Sequence, residues 1–183
     1  YFWAAAAITG KKVTVSHISR QSLQGDVRFV DVLEQMGCRV DASTEGISVT
    51  GPPKGGLSPV SLSMADMPDL VPTLAVVAAF AGGETIIRDV AHLRAKESDR
   101  LDAVRQELNK MGISAGIEND ALVISGGMPH GAEIETYNDH RMAMSFAVAG
   151  LRTPGVTIRN ESCVAKSFPR FWEAFDQLYG NRG

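Results

Sequence analysis

Charged and capping residues of this 183-residue chain gather in four short segments: Asp66-Met-Pro-Asp69, Arg94-Ala-Lys96-Glu97-Ser-Asp-Arg100, Asn138-Asp139-His140-Arg141 and Ala165-Lys166-Ser167-Phe-Pro169. Each leads into a run that reads as helix, and a Ser, Asp or Asn at its start can cap that helix. If the fold brings these junctions to one end, several helix N-termini aim unpaired N–H groups at one place. Lys96, Arg100, Arg141 and Lys166 would then join them in holding a substrate with several negative charges. Asp69 and Glu97 add a different chemistry. Carboxylates in a cationic cleft give a pure anion binder nothing, but they can take and give protons in a reaction.

Each segment taken alone has a plainer explanation. The Arg94–Arg100 stretch reads equally as a solvated helix start laced with ion pairs, since Lys96 and Arg100 are i,i+4 neighbours and Glu97 lies i,i+3 from Arg100 if the segment is helical. Asp69, between Pro68 and Pro72, reads as an N-cap, because a proline in the first helical turn sacrifices no hydrogen bond. His140 reads as a residue fixed beside a capped helix start, and Lys166 as an exposed loop lysine. The case for a site rests on all four segments together.

The elements that must position them repeat. Leu33-Glu-Gln-Met36-Gly37 and Ile47-Ser-Val49-Thr50-Gly51 are echoed 75 residues later by Leu108-Asn-Lys-Met111-Gly112 and Leu122-Val-Ile124-Ser125-Gly126. Lys12-Val-Thr-Val-Ser, Glu84-Thr-Ile-Ile-Arg and Gly155-Val-Thr-Ile-Arg form a second echo, each after an Ala-rich run (Ala4–Ile8, Leu74–Ala81, Met142–Ala149). Those runs are apolar all round and predict helices buried on most sides. The residues Val27, Val30, Leu33, Met36 and Leu101, Val104, Leu108, Met111 predict amphipathic helices, ended by Gly37 and Gly112 in a left-handed C′ position. Short strands around Glu45-Gly46 and Asn119-Asp120 predict hairpins. The expected fold is α/β (α+β): three βαβαββ units, about 1–53, 54–130 and 131–183, around central Ala-rich helices in one domain.

Composition narrows the partners. A net charge of −3 and a pI near 5.8 give no global attraction to nucleic acid or anionic membranes, and no apolar run approaches the roughly 20 residues that span a bilayer. Cys38 and Cys163 are far apart, which indicates neither a zinc site nor a disulfide framework and makes a reducing cytoplasm the default. The opening Tyr-Phe-Trp-Ala-Ala-Ala-Ala reads as the inside of a helix, so a fragment of a longer protein is expected.

Leu93-Arg-Ala-Lys-Glu-Ser-Asp-Arg-Leu101, Glu135-Thr-Tyr-Asn-Asp-His-Arg-Met-Ala-Met144 and Val164-Ala-Lys-Ser-Phe-Pro169 closely resemble signature segments of the 5-enolpyruvylshikimate-3-phosphate synthase family of enolpyruvyl transferases. Met67-Pro-Asp69 and Ser22-Leu-Gln-Gly-Asp26 fit the same family in the same order, and the match runs over the whole chain. The relative that acts on UDP-N-acetylglucosamine shares the architecture but matches these motifs poorly.

The resemblance implies two similar domains with the active site between them, this chain being the C-terminal one with its first unit lacking its first strand. It implies transfer of the enolpyruvyl group of phosphoenolpyruvate to the 5-hydroxyl of shikimate 3-phosphate, with no metal or organic cofactor. Asp69 matches the proton acceptor from the attacking hydroxyl, and Glu97 the donor to the methylene carbon. Lys96 matches a lysine on shikimate 3-phosphate, Arg100 and Arg141 the arginines on the phosphoenolpyruvate carboxylate, and Lys166 a lysine on its phosphate side, with His140 supporting them. His92 departs from the pattern, standing where some members carry Asn. The partners implied are the two small-molecule substrates and the missing N-terminal domain; without that domain, weak binding and little turnover are expected.

Overall fold

The computed structural model describes residues 1–22, 25–53 and 56–178; Leu23 and Gln24 of the Ser22–Asp26 motif therefore lie outside the described residues. The elements run α1 (Phe2–Thr9), β1 (Lys12–Ser16), α2 (Phe29–Gln35), β2 (Arg39–Ala42), β3 (Gly46–Thr50), β4 (Ser61–Ser63), α3 (Val71–Ala78), β5 (Glu84–Arg88), α4 (Arg100–Lys110), β6 (Ser114–Glu118), β7 (Ala121–Ser125), β8 (Glu133–Ile134), α5 (His140–Gly150), β9 (Thr157–Ile158) and α6 (Phe171–Asp176). Single 3-10 turns precede α2, α3, α4 and α6. None of the described helices is long and apolar enough to cross a membrane.

The 75-residue echo becomes strand register. In a three-stranded sheet of order β1-β3-β2, Val40 faces Val49; in a four-stranded sheet of order β4-β5-β7-β6, Ala115 faces Ile124. Both pairs stand at the same antiparallel position, and Val49 and Ile124 are fully buried. The turn Asn119-Asp120 has both residues at positive φ, as a two-residue type I′ hairpin requires. The order β-α-β-α-β-β is complete from β4 to β7, whose β4 and β5 are parallel across α3. In the third set only β8, α5 and the parallel β9 follow the pattern. The expected second helix and hairpin are replaced among the described residues by a 3-10 turn (Glu161–Lys166) and α6, because the sequence there turns aromatic: Phe168, Phe171, Trp172 and Phe175 pack together and onto Tyr1 and Phe2 at the start of α1.

The Ala-rich helices α1, α3 and α5 pack against one another in the middle, and all eight residues of α3 are buried. Alanine keeps them slim enough for strand ends to cross on backbone. Gly51 after β3 and Gly126 after β7 make that crossing: a Cβ on Gly51 would stand 2.3 Å from the Ala6 carbonyl oxygen, and one on Gly126 2.3 Å from that of Ala81. Gly37 and Gly112 end the amphipathic helices at φ 96° and 78°. Their hydrogen bonds, Cys38 N–H to Leu33 and Ile113 N–H to Leu108, complete the Schellman pattern that the sequence predicts. The first of these helices is shorter than the apolar spacing suggests, because Gly25–Arg28 is a 3-10 turn and α2 starts at Phe29.

Candidate functional site

The starts of α3, α4 and α5 meet, and their charged residues interlock. Asp99 caps α4, its Oδ1 accepting from the Asp102 N–H at 3.0 Å, and Asp139 caps α5, accepting from the Arg141 N–H at 2.9 Å. Arg100 is therefore the first residue of α4. Lys96 and Glu97 precede it outside the helix, Lys96 with extended backbone. The expected i,i+4 and i,i+3 spacing on one helix does not occur; an N-cap at Asp99 leaves those two side chains in the approach to the helix, where they are brought to the site from another direction.

Asp69 is likewise not an N-cap. It lies in the 3-10 turn Pro68–Leu70 ahead of α3, and its carboxylate faces cations instead of backbone. Arg100 Nη1 donates to Asp69 Oδ1 at 2.9 Å, Arg141 Nη2 lies 3.0 Å from Oδ2, and Lys96 Nζ lies 3.6 Å from Oδ1. Burial acts to raise the Asp69 pKa, but Arg141, Lys96 and Arg100 together outweigh it and hold the carboxyl below its ordinary range. Glu97 forms a second group with His140 Nδ1 at 3.4 Å and Lys166 Nζ at 3.8 Å. Lys166 also donates to the Asn138 carbonyl at 2.6 Å. It ends the 3-10 turn Glu161–Lys166, which the Trp172 indole ties down by donating to the Glu161 carbonyl.

All seven residues singled out from the sequence, Asp69, Lys96, Glu97, Arg100, His140, Arg141 and Lys166, thus come together. Arg94 does not: it is exposed and faces Asp99 and Asp120. His92 is exposed too, and among the described residues no hydrogen bond or ion pair joins it to the cluster.

Sequence reasoning missed Asp139 as a site residue. It is fully buried and takes two hydrogen bonds from Arg100, Nε to Oδ2 at 2.8 Å and Nη2 to Oδ1 at 3.3 Å, with Ser98 Oγ on Oδ2 at 3.3 Å. Burial opposes the ionised form, yet the Arg100 bonds lower the Asp139 pKa and raise that of Arg100. The signal was present but read as a cap alone. Glu97, Asp139 and His140 also offer ligand atoms within 4.8 Å of one another, but with both Asp139 oxygens engaged by a guanidinium, a cation there would meet like charge. The chemistry that fits is binding of an anion by Arg100, Arg141, Lys96 and Lys166, with two carboxylates beside it.

A family model described as EPSP synthase (3-phosphoshikimate 1-carboxyvinyltransferase) matches residues 1–175. The chain belongs to the EPSP synthase family. Its relatives named 3-phosphoshikimate 1-carboxyvinyltransferase include one from Syntrophobacter fumaroxidans, 53% identical over 97% of this chain and 42% of its own length. Another, from Nostoc punctiforme, is 48% identical over 97% of this chain and 41% of its own length. A relative from Arabidopsis thaliana, described as chloroplastic, is 44% identical over 97% and 35%. Among solved structures, EPSP synthase from Acinetobacter baumannii superposes with a TM-score of 0.82 at 32% identity, covering 96% of this chain and 44% of that one. The enolpyruvyl transferase NikO from Streptomyces tendae, at 22% identity and a TM-score of 0.74, shares the fold. The chain spans about two fifths of the length of the first two curated EPSP synthase relatives.

Proposed function

We propose that this chain is the C-terminal half of an enzyme that moves the enolpyruvyl group of phosphoenolpyruvate to the 5-hydroxyl of shikimate 3-phosphate and releases phosphate. The units 1–53, 54–130 and 131–183 form that domain, and a second domain supplies the rest of the site. One observation carries the reading: two carboxylates stand in adjoining cationic groups, Asp69 with Lys96, Arg100 and Arg141 where α3, α4 and α5 start, and Glu97 with His140 and Lys166 beside them. Family membership adds to it.

In this reading the phosphoenolpyruvate carboxylate binds the guanidinium fork of Arg141, which matches a planar carboxylate, and the Nη1 of Arg100, whose Nε and Nη2 stay on Asp139. Lys96 meets shikimate 3-phosphate, and Lys166 the phosphate that departs. Asp69 takes the proton of the attacking hydroxyl as the C–O bond forms, and Glu97, steadied by His140, delivers a proton to the methylene carbon. The tetrahedral intermediate then expels phosphate, and loss of a proton from the new methyl group restores the enol double bond. At rest Asp69 is a weak base because three cations share it. An anion that engages Arg141 and Arg100 relaxes that pull and makes Asp69 a better acceptor. The reaction calls on no cofactor or metal. Two free, buried cysteines accord with a reducing cytoplasm.

The deciding experiment mixes this chain with a separately made N-terminal half, titrates each substrate calorimetrically and follows phosphate release. Release from the mixture alone supports the reading. An associated mixture that neither binds nor releases phosphate overturns it and leaves a non-catalytic anion-binding module.

A further inference from the structure

Residues 136–139 form a turn that the substrate cluster depends on, and its backbone is held in an unfavourable conformation. The Asp139 N–H donates to the Thr136 carbonyl at 2.8 Å, and the two residues between, Tyr137 and Asn138, have φ of 53° and 56°. Both central positions are left-handed, the pattern of a type I′ turn, which favours Gly, Asn or Asp. Asn138 suits it. Tyr137, a bulky residue in that region, needs an external hold.

Glu107 provides one. It lies on α4 two helical turns from Arg100 and so on the same face, and its side chain is fully buried. Its Oε1 accepts from the Tyr137 hydroxyl at 2.7 Å, its Oε2 from the Glu135 N–H at 3.1 Å, and Lys110 Nζ lies 2.9 Å from both oxygens. The Glu135 carboxylate in turn accepts from the Thr136 and Tyr137 N–H groups. Helix α4 therefore grips residues 135–139 at two points: Arg100 takes Asp139, and Glu107 takes Tyr137 and Glu135.

The geometry points to Glu107 as a positioning residue that, through Tyr137, locks the left-handed turn at 137–138 and so sets Asp139, His140, Arg141 and the Asn138 carbonyl in place for the substrates. It touches none of the cluster residues' charged groups, and acts from the opposite end of α4. The inference rests on the function proposed above for its kinetic consequence, though not for its structural one.

The test uses the full-length two-domain protein carrying Tyr137→Phe, Glu107→Gln or Glu107→Ala. Amide hydrogen exchange over 136–141 is compared with the interior of α5, and KM for phosphoenolpyruvate is measured separately from kcat. Tyr137→Phe, which deletes only the hydroxyl, is expected to speed exchange across the turn and to raise KM about tenfold with kcat within about threefold. Glu107→Ala exceeds it, and Glu107→Gln, which keeps an acceptor, recovers most of the loss. Exchange over 136–141 indistinguishable from wild type in Tyr137→Phe and Glu107→Ala overturns the inference, as does an activity loss that tracks only the folded fraction. If the wild-type protein transfers no enolpyruvyl group, the proposed reaction fails by itself and the exchange comparison still decides the role of Glu107.

Discussion

Arg100 and Asp139 form a paired, two-point ion pair with both side chains out of solvent, 3% and 0% exposed, and the same guanidinium reaches on to the half-exposed Asp69. One arginine thus joins the buried cap of α5 to the carboxylate proposed as the reaction's base. Its position depends on a residue that no substrate is expected to touch.

Asp139→Asn should cost stability more than it costs helix capping. Asparagine caps as well as aspartate, so the loss isolates the weakened pairing of a buried guanidinium left with Asp69 as its counter-charge, with about 3–5 kcal/mol, the cost of removing one partner of a buried pair, as its upper bound. Urea denaturation at neutral pH measures it. The sign of the pH effect follows from the lowered Asp139 pKa. A carboxyl whose folded pKa lies below its unfolded value, about 3.9, contributes fully above that value and loses the contribution as pH falls through the folded one. Stability of the unsubstituted chain should therefore fall steeply below about pH 4. Asp139→Asn, lacking that group, should show a flatter acid limb, and an unchanged slope would remove Asp139 as its source.

Glu97→Gln should separate chemistry from folding. Glu97 is 42% exposed, and its contacts with His140 and Lys166 are long, at 3.4 and 3.8 Å, so stability should shift by no more than about 0.5 kcal/mol. Phosphate release by the assembled enzyme should drop about 10²–10⁴-fold, the usual contribution of a positioned acid or base. A variant that keeps full turnover ends the assignment of Glu97 as the proton donor.

The repeat gives a paired prediction in the scaffold. Gly51→Ala and Gly126→Ala each drive a Cβ to 2.3 Å from a backbone carbonyl oxygen, that of Ala6 in α1 and that of Ala81 just past α3, and the nearest atoms are all backbone, with no flexible side chain to yield. Each should destabilise by about 1–3 kcal/mol, and by similar amounts, since the two sites are equivalent 75 residues apart. Thermal melts of the two variants check this; a neutral result at either position would mean that the strand end moves off its helix.

That equivalence was legible in the sequence because a repeat constrains register, glycine positions and helix ends at once. The Gly37 and Gly112 caps, the hairpins and the buried Ala-rich helices followed from local pattern alone. What was not legible had to come from tertiary contact. Asp69 and Asp139 both precede helices and both read as caps, yet only Asp139 caps, and it also binds Arg100. No local pattern distinguishes a carboxylate facing backbone from one facing a guanidinium 31 or 39 residues away. The helical spacing proposed for Lys96, Glu97 and Arg100 failed because Asp99 claimed the cap. The grip of Glu107 on Tyr137 spans 30 residues and was invisible for the same reason.

The two arginines proposed for the phosphoenolpyruvate carboxylate should respond differently to the same substitution. Arg141 is 23% exposed on its side chain and meets Asp69 through one nitrogen at 3.0 Å. Arg141→Lys keeps a positive charge there but loses the fork. Binding geometry suffers while folding does not: KM for phosphoenolpyruvate rises about 10–100-fold and the urea midpoint barely moves. Arg100→Lys removes the fork where it is already committed to Asp139, so an ammonium must replace a two-point pair inside the protein. That variant should lose stability by the same mechanism as Asp139→Asn as well as losing substrate affinity, and the double variant Arg100→Lys/Asp139→Asn should cost less than the sum of the two. Strict additivity in that cycle would show that the two side chains act independently and that the buried pair does not hold the site together.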